Sequence, residues 1–180
     1  YNKLTSNVAL NEDKNLGTVI LEKSAVGNYC GLAEFHVPIH YKGAYSSLNP
    51  PDIEEPCNVI EVPIVTVDKY VKNKNITSLD IIKVDVEGAE KLFLKGAKNT
   101  IARFKPILLL EVSDRRTKAF NYKARWILDY IIDCGYNIYT INEIKSMDQV
   151  ELKPYDPIDY ISYVDILAIN KEKQIVSKDI

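Results

Sequence analysis

The segment from Leu79 to Val112 constrains the fold more than any other part of the chain. It reads LDIIKVDV, then, after Glu87, GAEKLFLKGAKNTIARF, then KPILLLEV. The first and third pieces are short, almost unbroken apolar runs, the composition of strands in a parallel sheet covered on both faces. Between them the apolar residues recur at helical spacing. Together the pieces predict a βαβ unit, with strands near 80–86 and 106–112 and a helix near 88–104. Parallel strands joined in this way take a right-handed crossover. The result is an α/β domain with helices layered on a sheet. At 180 residues, 46% of them hydrophobic and 27% charged, the chain is long enough to bury a core for one such domain.

The remaining segments fit around that unit. Residues 1–11 carry Leu4, Val8 and Leu10 at near-helical spacing, as in the tail of a helix. TVILEKSAVG (18–27) predicts a strand over about 18–23 that ends in a turn, and GLAEFHVP (31–38) predicts a second strand. GAYSSLNPPDIEEP (43–56) holds Pro50, Pro51 and Pro56 and reads as a long loop, a place where function often sits. VIEVPIVTVDKYV (59–71) is β-branched but interrupted by Pro63, which suits an edge strand. Over 116–134, Phe120, Ala124, Ile127, Leu128 and Ile131 share one helical face, with Gly135 at the C′ position and Trp126 in packing. NIYTIN (137–142) and YVDILAIN (163–170) close the sheet, and the stretch between them, rich in Pro, Asp and Tyr, forms an edge cover or lid.

Several function classes are excluded. A formal net charge of −2 and the lack of a long basic run leave no electrostatic footprint for nucleic acid. No apolar run approaches the roughly 18 residues of a membrane span, and no signal peptide opens the chain, so a soluble cytoplasmic protein is expected. Cys30, Cys57 and Cys134 are odd in number and widely spaced, which predicts reduced, mostly packed thiols. His36 and His40 are four apart with Pro38 between them, so they do not share a helical metal-binding face.

Charges gather where the first βαβ strand ends. Ile81, Lys83 and Asp85 alternate onto one side of it, and ligands of open α/β sheets bind at the carboxyl ends of strands. Two readings of Asp85, Glu87 and Glu90 follow: favourable charges or caps at a helix N-terminus, or parts of a site. Glu111 supports the second, because it ends the neighbouring strand. Strands lie roughly 4.8 Å apart, close enough for Asp85 and Glu111 to converge on one ligand or cation. Lys83 reads as an ion-paired or snorkelling strand residue, and Glu87 as a helix-start carboxylate.

At these residues the chain resembles the FkbM family of S-adenosylmethionine-dependent methyltransferases, whose fingerprint is similar to DIIKVDVEGAEKLFLKGA here. The likeness runs in order through NVALN (7–11), SAVG (24–27), YSSLN (45–49), VPIVTVDKY (62–70) and KPILLLEVS (105–113), covering most of residues 1–113. It implies a class I (Rossmann-like) methyltransferase sheet, mostly parallel with an antiparallel edge strand, of order 3-2-1-4-5-7-6. It also implies O-methyl transfer from S-adenosyl-L-methionine to a hydroxyl of a sugar or related metabolite, so the partner is a hydroxylated small molecule or glycan. On the family pattern the first two strands and the glycine-rich cofactor loop precede residue 1, and no G-x-G occurs in these residues. The chain is therefore expected to be one partial domain over 1–180, impaired as an enzyme. The alternative is a non-catalytic glycan- or protein-binding remnant. The resemblance places Ser24, Ala25 and Val26 by the adenine and Asp85 beside the methyl-transfer centre. Asp85 is the candidate base, with Glu111 as catalytic partner, and an optional Mg2+ held by Asp85 and Glu111 is the other way to lower the acceptor's pKa. Ser46 and Ser47 either line the acceptor pocket or make turns.

Overall fold

The computed structural model describes residues 1–11, 17–40, 44–146, 149–156 and 160–173. The βαβ unit forms as its pattern predicts. Strand β4 (Ile81–Val84) and strand β5 (Ile107–Val112) are adjacent and parallel, with Ile81 beside Ile107 and Val84 beside Leu110. The connecting helix is broken in two, α3 (Glu90–Gly96) and α4 (Lys98–Phe104), at Ala97. Asp68 explains how a second helix starts there. Its carboxylate accepts hydrogen bonds from the Asn99 and Thr100 amides (3.1 and 2.7 Å) and from the Thr100 hydroxyl (2.7 Å), satisfying donors that a helix start leaves unpaired.

Before this unit come α1 (Asn2–Ala9), β1 (Ala25–Val26), β2 (Gly31–Pro38), β3 (Cys57–Val65) and α2 (Val67–Asn73). After it come α5 (Asp114–Thr117), a 3-10 turn (Lys118–Phe120), α6 (Arg125–Asp133), β6 (Tyr136–Ser146), β7 (Gln149–Pro154) and β8 (Val164–Asn170). The strands form two mixed sheets, β1-β3-β2 and β4-β5-β8-β6-β7. Among the described strands only β1–β3 and β4–β5 pair in parallel. The expectation of a mostly parallel sheet with one antiparallel edge thus gives way to a mixed arrangement. Strand β8 runs antiparallel inside the larger sheet, between β5 and β6, and β7 supplies the edge cover beside β6.

Burial is one-sided. Val84, Leu108, Leu110, Val112, Ile166 and Ala168 point to one face and are buried against Phe93, Leu94, Ile101, Ala124, Ile127, Leu128 and Ile131 of the helices. On the opposite face Ile81, Lys83 and Asp165 are exposed, while Leu109 and Glu111 are half-buried. Strands that looked apolar on both faces are therefore covered closely on one.

Three predicted elements differ. Residues 18–23 are not a strand, and only Ala25 and Val26 pair, with Ile64 and Val65 of β3. Strand β3 lies between β1 and β2 rather than at an edge. At Pro63, however, pairing to β1 has already ended, so the proline removes no ladder bond on that side. The 66–71 end of the same segment is helix α2, capped by the Thr66 hydroxyl, which accepts the Lys69 amide at 3.1 Å. The helix expected over 116–134 breaks at Asn121, whose φ of +55° is left-handed. It resumes where Asp114 accepts the Ala124 amide at 2.8 Å. Gly135, at φ +84°, takes the C′ position as expected. All three cysteines are free thiols, but Cys30 and Cys134 are exposed rather than packed.

Candidate active site

The charged cluster is built on the turn between β4 and α3. Glu87 and Gly88 are both left-handed there, at φ +52° and +97°. Helix α3 begins only at Glu90, with Ala89 at its N-cap and no side-chain cap. Neither Asp85 nor Glu87 therefore serves as a helix-start carboxylate. Glu90 does sit in the first turn, and its buried carboxylate folds back onto the Gly88 amide at 3.1 Å. The Tyr122 hydroxyl braces the same turn, reaching the Gly88 carbonyl at 2.8 Å and the Glu90 carboxylate at 3.2 Å. Burial raises the pKa of Glu90 and pushes the Tyr122 phenol well up.

Asp85 lies one step beyond the last register pair, Val84 with Leu110, so it comes up beside Glu111 as the strand spacing predicts. Burial raises the Glu111 pKa most, and the nearby Asp85 and Asp165 carboxylates push it further up. Asp165 is the register partner of Glu111 on β8. Asp85, Glu87 and Glu111 nevertheless each have a protein cation. Lys83 binds Asp85 at 2.8 Å, the ion pair foreseen for that lysine. Arg116 binds both Glu87, at 3.1 Å through Nε, and Glu111, through Nη1. The Glu87 pKa is raised by burial and pulled back by Arg116.

The long loop docks onto this cluster. The buried Ser47 hydroxyl donates to the Glu87 carbonyl at 2.9 Å, the Asn49 amide to the Ala119 carbonyl at 2.8 Å, and Arg115 to the Asp52 carbonyl at 3.1 Å. Ser47 is thus a structural anchor rather than a pocket wall. The docked loop closes a cavity of about 290 Å³ with Tyr45, Asp52, Glu87, Arg115, Arg116 and Tyr163 on its wall.

Ser24 and Ala25 lie elsewhere. They border an open groove of about 710 Å³ whose sides include Leu4, Phe35, Ile60 and Val62, while Val26 packs on the core. Among the described residues no three His, Cys, Asp or Glu side chains come together as metal ligands. With Lys83 and Arg116 already on Asp85 and Glu111, these two carboxylates present charge to protein cations and do not open as an oxygen cage for a divalent ion. His36 pairs through its backbone with Ser47.

Arg116, Tyr45 and Tyr163 are site residues that the sequence reading missed. The signal for the first was present: SDRR follows directly on Glu111 and Val112, placing two cations just past a strand-end acid.

A mixed α/β domain with an acidic cluster at the carboxyl ends of β4 and β5 has the layout of enzymes that bind ligands at strand ends. The model of the Methyltransferase FkbM domain matches residues 1–138, and the chain belongs to that family. The match extends past β5, through α6 and into β6. No curated protein and no solved structure matches the chain. Among the described residues no helix is long and apolar enough to cross a membrane.

Proposed function

We propose that this domain transfers a methyl group from S-adenosyl-L-methionine to a hydroxyl of a sugar or related metabolite, on a class I methyltransferase sheet. The carrying observation is the β4–α3 turn, where Asp85, Glu87 and Glu111 gather at two adjacent strand ends beside a cavity. The spatial order β4-β5-β8-β6, with β8 antiparallel, agrees with the 4-5-7-6 half of that sheet.

The residues suit the methyl donor in two respects. Clustered carboxylates complement a sulfonium charge, and the groove beside Ser24 and Ala25 has apolar walls for a flat ring. When bound, the cofactor supplies a methyl carbon already activated toward attack. The chain's own residues then have two tasks, alignment of the acceptor oxygen and removal of its proton. In the transfer the donor would leave as the neutral thioether, and the acceptor hydroxyl would give its proton to a carboxylate of the turn. Glu87 is better placed to receive it than Asp85. It lines the cavity, and desolvation has raised its proton affinity, whereas Asp85 is half-exposed and bonded to Lys83. Asp85, held by Lys83, would supply negative charge for the donor's sulfonium, and Glu111 fixes Arg116.

The test is steady-state methyl transfer by the full-length protein and its Glu87→Gln and Asp85→Asn variants. Glu87→Gln should lose kcat with cofactor affinity near normal, and Asp85→Asn should lose cofactor affinity. Full rates in both variants would remove the turn from the mechanism and favour a glycan- or protein-binding role for the domain.

A further inference from the structure

The cavity beside Glu87 has a composition that the methyl-transfer reading does not explain. Its wall carries Tyr45 and Tyr163, 36% and 54% exposed, both close to the Arg116 guanidinium, whose carbon lies 5.9 and 5.7 Å from the two ring centroids. Aromatic rings on a cavity wall that stay partly exposed offer apolar area to a ligand. Tyr45 is also held at φ +60°, a left-handed conformation uncommon for a bulky residue. Such strain persists only when the surroundings enforce it. Here Ser47, two residues on, is pinned to the Glu87 carbonyl, so the loop holds the Tyr45 ring at the cavity wall.

The charges of the wall cancel. Arg116 is neutralised by Glu87 and Glu111, and Asp52 faces Lys118 at 3.8 Å. Arg115 uses its guanidinium on the Asp52 carbonyl. With Asp52 and Glu87 balanced by Arg115 and Arg116 on the wall, an anionic ligand gains little net attraction, whereas hydroxyl groups can join these bonds as donors and acceptors. The volume, about 290 Å³, sits at the small end of ligand pockets and suits one ring rather than a chain of rings.

The geometry points to this cavity as the acceptor subsite, taking a single uncharged, polyhydroxylated ring whose C–H face rests on Tyr45 and Tyr163. This rests on the methyltransferase reading and adds the residues that select the acceptor. Glu87 at the same wall sets which hydroxyl of the ring is presented.

The test separates binding from transfer. Saturation-transfer NMR titrations of the full-length protein would use methyl β-D-glucopyranoside and methyl α-D-mannopyranoside as neutral probes and sodium glucuronate as the acidic one. At least one neutral glycoside should bind more tightly than glucuronate. Tyr163→Ala should raise its Kd about three- to tenfold, the range for losing one aromatic contact. Tyr163→Phe should lose less. Tyr45→Ala should behave like Tyr163→Ala, with thermal midpoints checked so that a misfolded variant is recognised; the more exposed Tyr163 keeps the test informative if Tyr45→Ala does not fold. Tighter binding of glucuronate, no binding of either neutral probe, or unchanged affinity in Tyr163→Ala would overturn the assignment. Methyl transfer with an unaltered KM in Tyr163→Ala would reject the subsite while leaving the methyltransferase reading intact. Tyrosine-dependent binding without transfer would keep the subsite and reject that reading.

Discussion

Gly88→Ala tests whether the acidic turn is built as described. A Cβ at Gly88 would lie 2.4 Å from the Arg116 carbonyl oxygen and 2.8 Å from its carbon, both main-chain atoms that cannot swing aside. The Phe120 ring, at 3.1 Å, closes the third side. Overpacking of this kind typically costs about 1–3 kcal/mol. The residue is also left-handed at φ +97°, which adds about 1–2 kcal/mol for an L side chain. Taking a middle sum of about 3 kcal/mol, and about 2–4 °C per kcal/mol for a domain of this size, the thermal midpoint should fall by about 6–12 °C. Differential scanning calorimetry reads this directly. Because the collision is with Arg116, the variant should also loosen the ion pairs to Glu87 and Glu111. A midpoint within a degree or so of wild type would mean that the β4–α3 turn and the Arg116 backbone are not packed against each other, and the site geometry argued from them would fail.

Three further outcomes follow from other contacts. Arg116→Gln leaves two half-buried carboxylates without their cation and should cost about 2 kcal/mol at neutral pH, below the figure for fully buried pairs. Arg116 lowers both pKa values, so its loss raises them in the folded state. The deficit should be full at neutral pH and shrink as the pH falls and the acids protonate, which chemical denaturation at pH 7 and pH 4 would reveal. Glu90 has a raised pKa, so the folded state holds its proton more tightly than the unfolded one and stability declines as pH rises above the usual carboxylate range. Glu90→Gln should flatten that decline above the usual carboxylate range, and an unchanged slope would show that Glu90 does not titrate with folding. Asp68→Ala removes the cap of α4 and should lower stability by about 1–2 kcal/mol in urea titrations, with ligand binding at the Tyr45–Tyr163 cavity unaffected.

The parts of the fold legible in the sequence are those in which local pattern and tertiary context agree. Strands β4 and β5 declare themselves through apolar runs, and β2 spans the residues that its alternation marks. Gly135 ends α6 because a left-handed residue is needed there. Elsewhere distant contacts decide. Nothing local in 116–134 reveals that Asp114 will take the amides of both Ala124 and Ile161, splitting one amphipathic run into two pieces. Residues 18–23 are apolar enough for a strand, yet a strand also needs a neighbour, and among the described residues only Ala25 and Val26 find one on β3.

The site divides in the same way. Asp85 and Glu111 come together because strand register is local arithmetic, and Lys83 pairs with Asp85 two residues away. Arg116 reaches Glu87 across the βαβ unit, and Tyr45 arrives on a loop from another sheet, contacts that spacing along the chain does not encode. Ser24 and Ala25 came from family likeness, and they border a groove of their own.

The most direct measurement of the central claim uses S-adenosyl-L-methionine carrying a deuterated methyl group. The full-length protein would be incubated with it and the neutral glycosides that bind the tyrosine-flanked cavity, and the products analysed by mass spectrometry. The account predicts a glycoside heavier by one labelled methyl group on oxygen, formed by wild type and strongly reduced in Glu87→Gln. Glycosides that bind at the cavity yet never acquire the label, under conditions where the cofactor also binds, would contradict it.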